Sequence, residues 1–182
     1  DPGPPPIEYV KGSGGMFLDM TIHDFDMARF LIGAEVEEIY TQAGITVDPA
    51  IGEAGDVDTA IVMLKFANGV LGTIDNCRRA SYGYDQRVEV LGSKGAIATA
   101  NNYPNAATVS DGFSVRRDLP LNFFMDRYTE SFATEVAAFV DAVQHDKPTP
   151  VTGYDGRVPV VMGLAAGKSY REGRPVKLSE IG

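Results

Sequence analysis

Asp19 and His23 lie four residues apart in the run Gly14-Gly15-Met16-Phe17-Leu18-Asp19-Met20-Thr21-Ile22-His23-Asp24. On a helix that spacing stacks the two side chains on one face, one turn apart. A carboxylate beside an imidazole fixes the ring's tautomer and favours proton uptake by it. Such a pair suits general acid–base work on a hydroxyl. The same spacing also describes a weak surface pair, and spacing alone leaves both readings standing. A metal centre is not expected. Two ligands on one helix need one or two more, and no second His or Cys cluster supplies them.

The element that must hold the pair is a helix over residues 16–31. At helical period Phe17, Met20, Met27, Phe30 and Leu31 fall mainly on one face, and Gly33 is a plausible stop. Asp24 and Asp26 serve its first turns or its solvent face. Ahead of it, Pro2-Gly3-Pro4-Pro5-Pro6 reads as an extended connecting segment. Gly12-Ser13-Gly14-Gly15 lacks dinucleotide-fingerprint spacing and reads as flexible backbone.

Beyond Gly33 strands are expected over 36–45, 59–66 and 70–76, with a small polar loop over 49–55. Asn68-Gly69 supplies positive φ for a two-residue hairpin. A second hairpin joins 87–91 to 96–100 across Gly92-Ser93-Lys94-Gly95, and weaker strands follow over 107–110 and 112–116. Helices are expected over 123–145 and 155–171. The first carries a core-facing stripe of Phe132, Val136, Phe139, Val140 and Val143. His145 reads as a helix-end cation.

This order gives an α+β fold, with an open, predominantly antiparallel β-sheet and its helices packed on one face. The sheet is expected to comprise the strands beginning near Val36, Thr59, Val70, Arg87 and Ala96. Ile61, Met63, Ile74 and Val90 alternate with polar neighbours, so both faces of the sheet carry apolar groups. Burying the second face in a homo-oligomer, a dimer or tetramer, is the economical arrangement.

With 182 residues, 44% of them hydrophobic and 23% charged, the chain has an ordinary globular composition. A net charge of −9 argues against nucleic acid or an anionic membrane as partner. The single cysteine, Cys77, excludes an internal disulfide and fits a reducing cytoplasm. No apolar run is long enough to span a bilayer. The Pro-rich opening at Asp1 reads as the start of one part of a longer chain.

The stretch from Gly14 to Gly33, with its Asp19-Met-Thr-Ile-His23-Asp24 centre, resembles the Gfo/Idh/MocA family of NAD(P)-dependent oxidoreductases, and within it the inositol dehydrogenases most. Further matching segments are Ala54-Gly55-Asp56-Val57-Asp58-Thr59-Ala60, Ser81-Tyr82-Gly83-Tyr84-Asp85-Gln86-Arg87, Phe123-Phe-Met-Asp-Arg127-Tyr128 and Glu172-Gly173-Arg174-Pro175-Val176. The resemblance covers residues 1–182 as the C-terminal substrate-binding and oligomerisation domain only. It implies an NAD-binding Rossmann domain, with a Glu-Lys-Pro lysine, that is absent from this sequence. Residues 1–182 alone are then expected to be inactive.

By the same resemblance His23 is the general base that takes the proton of a cyclic polyol's hydroxyl, and Asp19 orients substrate and imidazole. Hydride then leaves the same carbon for NAD held by the other domain. Tyr82, Tyr84 and Arg127 are implied as substrate-binding residues. On residue type alone, the tyrosines could equally be edge-strand aromatics, and Arg127 could tie the long helix to the sheet. A non-catalytic oligomerisation or interaction module derived from the family is the competing reading.

Overall fold

The computed structural model describes residues 1–182, which divide into two compact units. One comprises Pro5–Arg78 with Pro150–Gly182, and the other Asp1–Pro4 with Arg79–Thr149.

The larger unit is built on a four-stranded antiparallel sheet. Its strands are β1 (Val36–Gly44), β2 (Thr59–Phe66), β3 (Leu71–Cys77) and a short β8 (Val176–Lys177), in the order β3-β2-β1-β8. β2 shows why one face is covered: Ala60, Val62, Leu64 and Phe66 are buried while Ile61, Met63 and Lys65 are exposed. On β1 a bulge between Val36 and Glu38 resets the alternation, so Val36, Ile39 and Thr41 all point inward. The inner face packs against α3 (Thr21–Ile32) and α6 (Gly153–Glu172), with Phe25, Met162, Ala165 and Ala166 in the shared core. The open antiparallel sheet with helices on one face is therefore the architecture of this unit.

Several local expectations are corrected. The hairpin after β2 has three loop residues, because Phe66 pairs with Val70 and Gly69 alone takes a positive φ of 85°. That is a turn closed by a left-handed glycine, which suits a one-residue-longer loop. The strands near Arg87 and Ala96 do not join the main sheet; β8 takes an edge instead. They form a separate two-stranded sheet of β4 (Glu89–Gly92) and β5 (Gly95–Ala98) in the smaller unit. The Pro-rich opening holds a short helix, α1 (Ile7–Gly12), and the 49–55 loop holds another, α4 (Pro49–Glu53). Asp48 caps α4 by accepting the Ala50 N–H, and Pro49 stands where a missing N–H costs nothing.

The smaller unit contains that hairpin, a second one of β6 (Thr108–Ser110) and β7 (Val115–Arg117), and the long helix α5 (Phe124–Gln144). So only two of the three main helices belong to the sheet's unit. The α5 stripe expected to face a core is exposed at Val136, Phe139 and Val143, and only Ala142 is buried. Two short hairpins give this unit too little surface to cover a 21-residue helix.

Candidate functional site

The expected helix over 16–31 is broken at Met20 into α2 (Met16–Asp19) and α3. At the break the Thr21 hydroxyl bonds the Met16 carbonyl, a side-chain competitor for the backbone ladder. The break also changes the phase of the apolar face. Phe17 and Met20 pack inward, but Met27, Phe30 and Leu31 are exposed and Phe25 takes the core position.

Asp19 and His23 therefore sit on different helices, and the same-face ion pair expected from their spacing does not form. Asp19 is spoken for elsewhere. Its Oδ1 accepts the Tyr9 hydroxyl at 2.8 Å and its Oδ2 accepts Nη1 of Arg78 at 3.0 Å. The carboxylate beside it raises the pKa of the Tyr9 phenol, through the hydrogen bond first and charge second. Arg78 is buried, with 3% of its surface exposed, and reaches a second carboxylate, Asp56, through Nη2 at 3.2 Å. Asp56 in turn accepts the N–H of Met16 with both oxygens at 3.0 Å, which anchors the start of α2. Gly15 is needed just before that point. Its φ is 82°, and a Cβ there would stand 2.8 Å from Asp56 Oδ1.

His23 is exposed, and its ring makes no hydrogen bond or ion pair. Its neighbour Asp24 accepts the Asn76 amide of β3 at 2.9 Å, which fixes the first turn of α3 to the sheet. The arrangement is a free imidazole on α3 following a carboxylate that is rigidly held at the end of α2. A hollow of about 330 Å³ in the same unit lies beside Gly15, Asp56 and Gly163, and neither Asp19 nor His23 lines it.

Tyr82, Tyr84 and Arg127 belong to the smaller unit. The Tyr82 hydroxyl donates to Asp85, which also accepts from Arg87 and Asn101. The Arg87 guanidinium leads in holding the Asp85 carboxyl well below the usual carboxylate range, against the opposing effect of burial. Tyr84 packs edge-on against Tyr128 at 5.8 Å. Arg127 donates to the Gln86 carbonyl at 3.1 Å and so ties the first turn of α5 to the segment before β4. Tyr82 and Arg87 line a hollow of about 500 Å³ together with Asn101, Tyr103 and Arg117.

Sequence reasoning missed Tyr9 and Arg78 as partners of Asp19, and Asp56 as the second carboxylate on Arg78. The only signal was the presence of Asp56 in a matching segment; nothing in the spacing joins position 78 to position 19.

The family model described as the GFO/IDH/MocA C-terminal domain matches residues 1–98. The myo-inositol 2-dehydrogenase of Thermotoga maritima is 50% identical over 181 residues, covering 100% of this chain and 54% of the relative. A crystal structure of a myo-inositol dehydrogenase from Corynebacterium glutamicum superposes with a TM-score of 0.94 at 37% identity, over 98% of this chain and 54% of that one. The scyllo-inositol dehydrogenase of Lactobacillus casei, solved with NAD(H) and scyllo-inositol bound, gives a TM-score of 0.86 at 25% identity, over 95% of this chain and 52% of that one. The chain thus spans about half the length of the relatives it matches.

Proposed function

Because this chain belongs to the Gfo/Idh/MocA family and carries its C-terminal domain, we propose that it is the substrate-binding half of an NAD-dependent dehydrogenase. The substrate is myo-inositol or a related cyclitol or sugar, and the product is the ring ketone. The observation that carries this reading within the fold is the free, exposed His23 ring following a carboxylate held by Arg78. A neutral imidazole with both nitrogens uncommitted has a lone pair available for a hydroxyl proton. Asp19 already accepts one hydrogen bond on each oxygen and retains capacity on each for a substrate hydroxyl.

Tyr82, Tyr84 and Arg127 are assigned to polyol binding on the family resemblance. Since the Tyr82 O–H is donated to Asp85, this phenol meets a substrate hydroxyl as an acceptor.

The Gly12–Gly15 turn does not fit the pyrophosphate of a dinucleotide. The one glycine-rich turn delivers its Met16 N–H to the Asp56 carboxylate, whose charge repels a pyrophosphate, and opens a helix of four residues only. NAD binding is therefore assigned mainly to the N-terminal Rossmann domain that the family resemblance implies. No helix here is long and apolar enough to cross a membrane. A homo-oligomer formed through the open sheet face, without nucleic acid or membrane partners, completes the proposal, and Cys77 fits the cytoplasm as its compartment.

The full-length protein with NAD tests the reading. Oxidation of myo-inositol in clear preference to an acyclic 2-hydroxy acid is the expected result; the reverse preference sinks it.

A further inference from the structure

We propose that Arg78 is a positioning residue for the reaction, acting through Asp19 and clamping that carboxylate to the start of α2. The inference rests on the proposed role of Asp19 and His23 and adds a residue to it.

The geometry is that of a bridge. One guanidinium joins two carboxylates, Asp19 at 3.0 Å and Asp56 at 3.2 Å, from the far end of β3. Asp56 holds the Met16 N–H at the first residue of α2, and Asp19 is the last residue of that helix. The two ends of a four-residue helix, too short to be stable by itself, are therefore fixed to a single side chain. Arg78 is itself fixed, because its own N–H donates to the Asp58 carbonyl at 2.8 Å.

Two further observations separate this from ordinary surface pairing. The Arg78 side chain is only 2% exposed, and the two carboxylates are 16% and 13% exposed, so the bridge is little screened by water. The Nε of Arg78 is buried and makes no hydrogen bond. A structural arginine would be expected to satisfy that donor, since leaving it unmade is unfavourable. Here the guanidinium is oriented by its two carboxylates at the expense of its third donor position. Replacement by lysine would keep the charge and lose the fork, because an ammonium is a point donor on a flexible stem.

The consequence is placement. A carboxylate that accepts from a substrate hydroxyl must be held to fractions of an ångström, and a displacement of about 1 Å can lower rate by about 10²-fold. Arg78 does not touch substrate in this scheme; Asp19 does.

A double-mutant cycle on the full-length protein decides it, using wild type, Asp19→Asn, Arg78→Met and the double variant, each assayed for kcat/KM with myo-inositol and NAD. Arg78→Met should lower kcat/KM by about 10²-fold in the wild-type background and produce no further loss in the Asp19→Asn background. Equal losses in both backgrounds would show a general structural role and overturn the proposal, as would a folded Arg78→Met protein with unchanged kcat/KM. If Arg78→Met does not fold, Arg78→Lys takes its place: reduced kcat/KM in a folded protein supports the clamp, and wild-type kcat/KM or loss of fold overturns it. An inactive wild type defeats the cyclitol reading separately. The thermal midpoints of the same four proteins then decide the clamp, non-additive shifts supporting it and additive shifts overturning it.

Discussion

His23 and Asp19 are where chemistry can be tested with the least ambiguity. His23 is exposed and bonded to nothing, so His23→Ala should leave the circular dichroism of the full-length protein unchanged. Its turnover should fall by about 10²–10⁴-fold, the usual worth of a positioned acid–base group. Asp19→Asn should lose much of the same activity without adding to the first loss, since in the proposed mechanism the two serve one step. Near-normal turnover in a folded His23→Ala protein would remove His23 as the base. A second residue, Asp58, makes a stability prediction. It is fully buried and accepts the N–H groups of Thr46, Val47 and Asp48 at 2.7, 2.9 and 3.0 Å. Burial opposes its ionisation, but those bonds and the Thr59 hydroxyl prevail and hold its pKa below the ordinary 3.8. A depressed folded-state pKa contributes stability above the unfolded value, which is lost as pH falls through the folded one. Asp58→Asn should therefore cost about 1–3 kcal/mol at pH 7. In urea unfolding, the gap from wild type should hold down to about pH 5 and narrow below about pH 4. A gap that widens on acidification would contradict this account. Asp19 and His23 drew attention in the sequence by residue type and short spacing, but the same-face pairing that spacing implies is undone by the break at Met20. Arg78 was not legible, because its partners lie 59 and 22 positions away and only the fold brings them together.

Among the elements, period and turn chemistry located nearly all the strands and both long helices, and failed where a side chain overrode them. The break at Met20 is such a case. Leu18, Asp19 and Thr21 read as ordinary helix, but the Thr21 hydroxyl and the hold on Asp19 decide the backbone locally. The β1 bulge between Val36 and Glu38 was likewise not legible, since a strand expected over 36–45 carries no signal of where its pairing shifts. Gly163 was invisible to pattern reading altogether. It lies in the middle of α6, where glycine is normally unfavourable, yet a Cβ there would stand 2.6 Å from Leu18 Cδ2 and 2.8 Å from the Phe17 carbonyl oxygen. The glycine permits α2, with Asp19 at its end, to lie directly on α6. Gly163→Ala should accordingly destabilise the protein by about 1–3 kcal/mol through overpacking, despite alanine's better helix propensity. It should also lower turnover, because the Phe17 backbone cannot yield without moving α2. A raised thermal midpoint would show that α2 has room to give.

On the scale of the whole molecule, the sheet has one covered face and one open one. That follows from β2, where the outward residues Ile61 and Met63 are 53% and 50% exposed. Across the ladder Ile61 faces Gln42 and Asp75, and Met63 faces Tyr40 and Thr73. Leu71, paired with Lys65 at the end of β3, is 72% exposed on the same strands. Ile61 and Met63 thus make an apolar row along β2, with Tyr40 beside it and Leu71 beyond, on a face whose charges are Asp75, Lys65, Glu38 and Lys177. Scattered exposed apolar residues need no explanation, but a contiguous row on one sheet face does. In the proposed homo-oligomer a second copy would supply a matching row by symmetry. Covering such side chains is worth about 25 cal/mol per Å² of apolar area, enough to hold a dimer or tetramer if the face is fully used. The full-length protein should then scatter light as a dimer or larger at tens of micromolar, roughly the range in which a stable interface persists. Ile61→Asp with Met63→Asp should shift it toward monomer, because each would bury an unpaired carboxylate at the contact. The covered face of β2, carrying Val62 and Leu64, is untouched by these substitutions, so the monomer should keep its secondary structure. An unchanged scattering mass in the double variant would place the contact elsewhere, and the exposed stripe of Val136, Phe139 and Val143 on α5 would be the next surface to mutate.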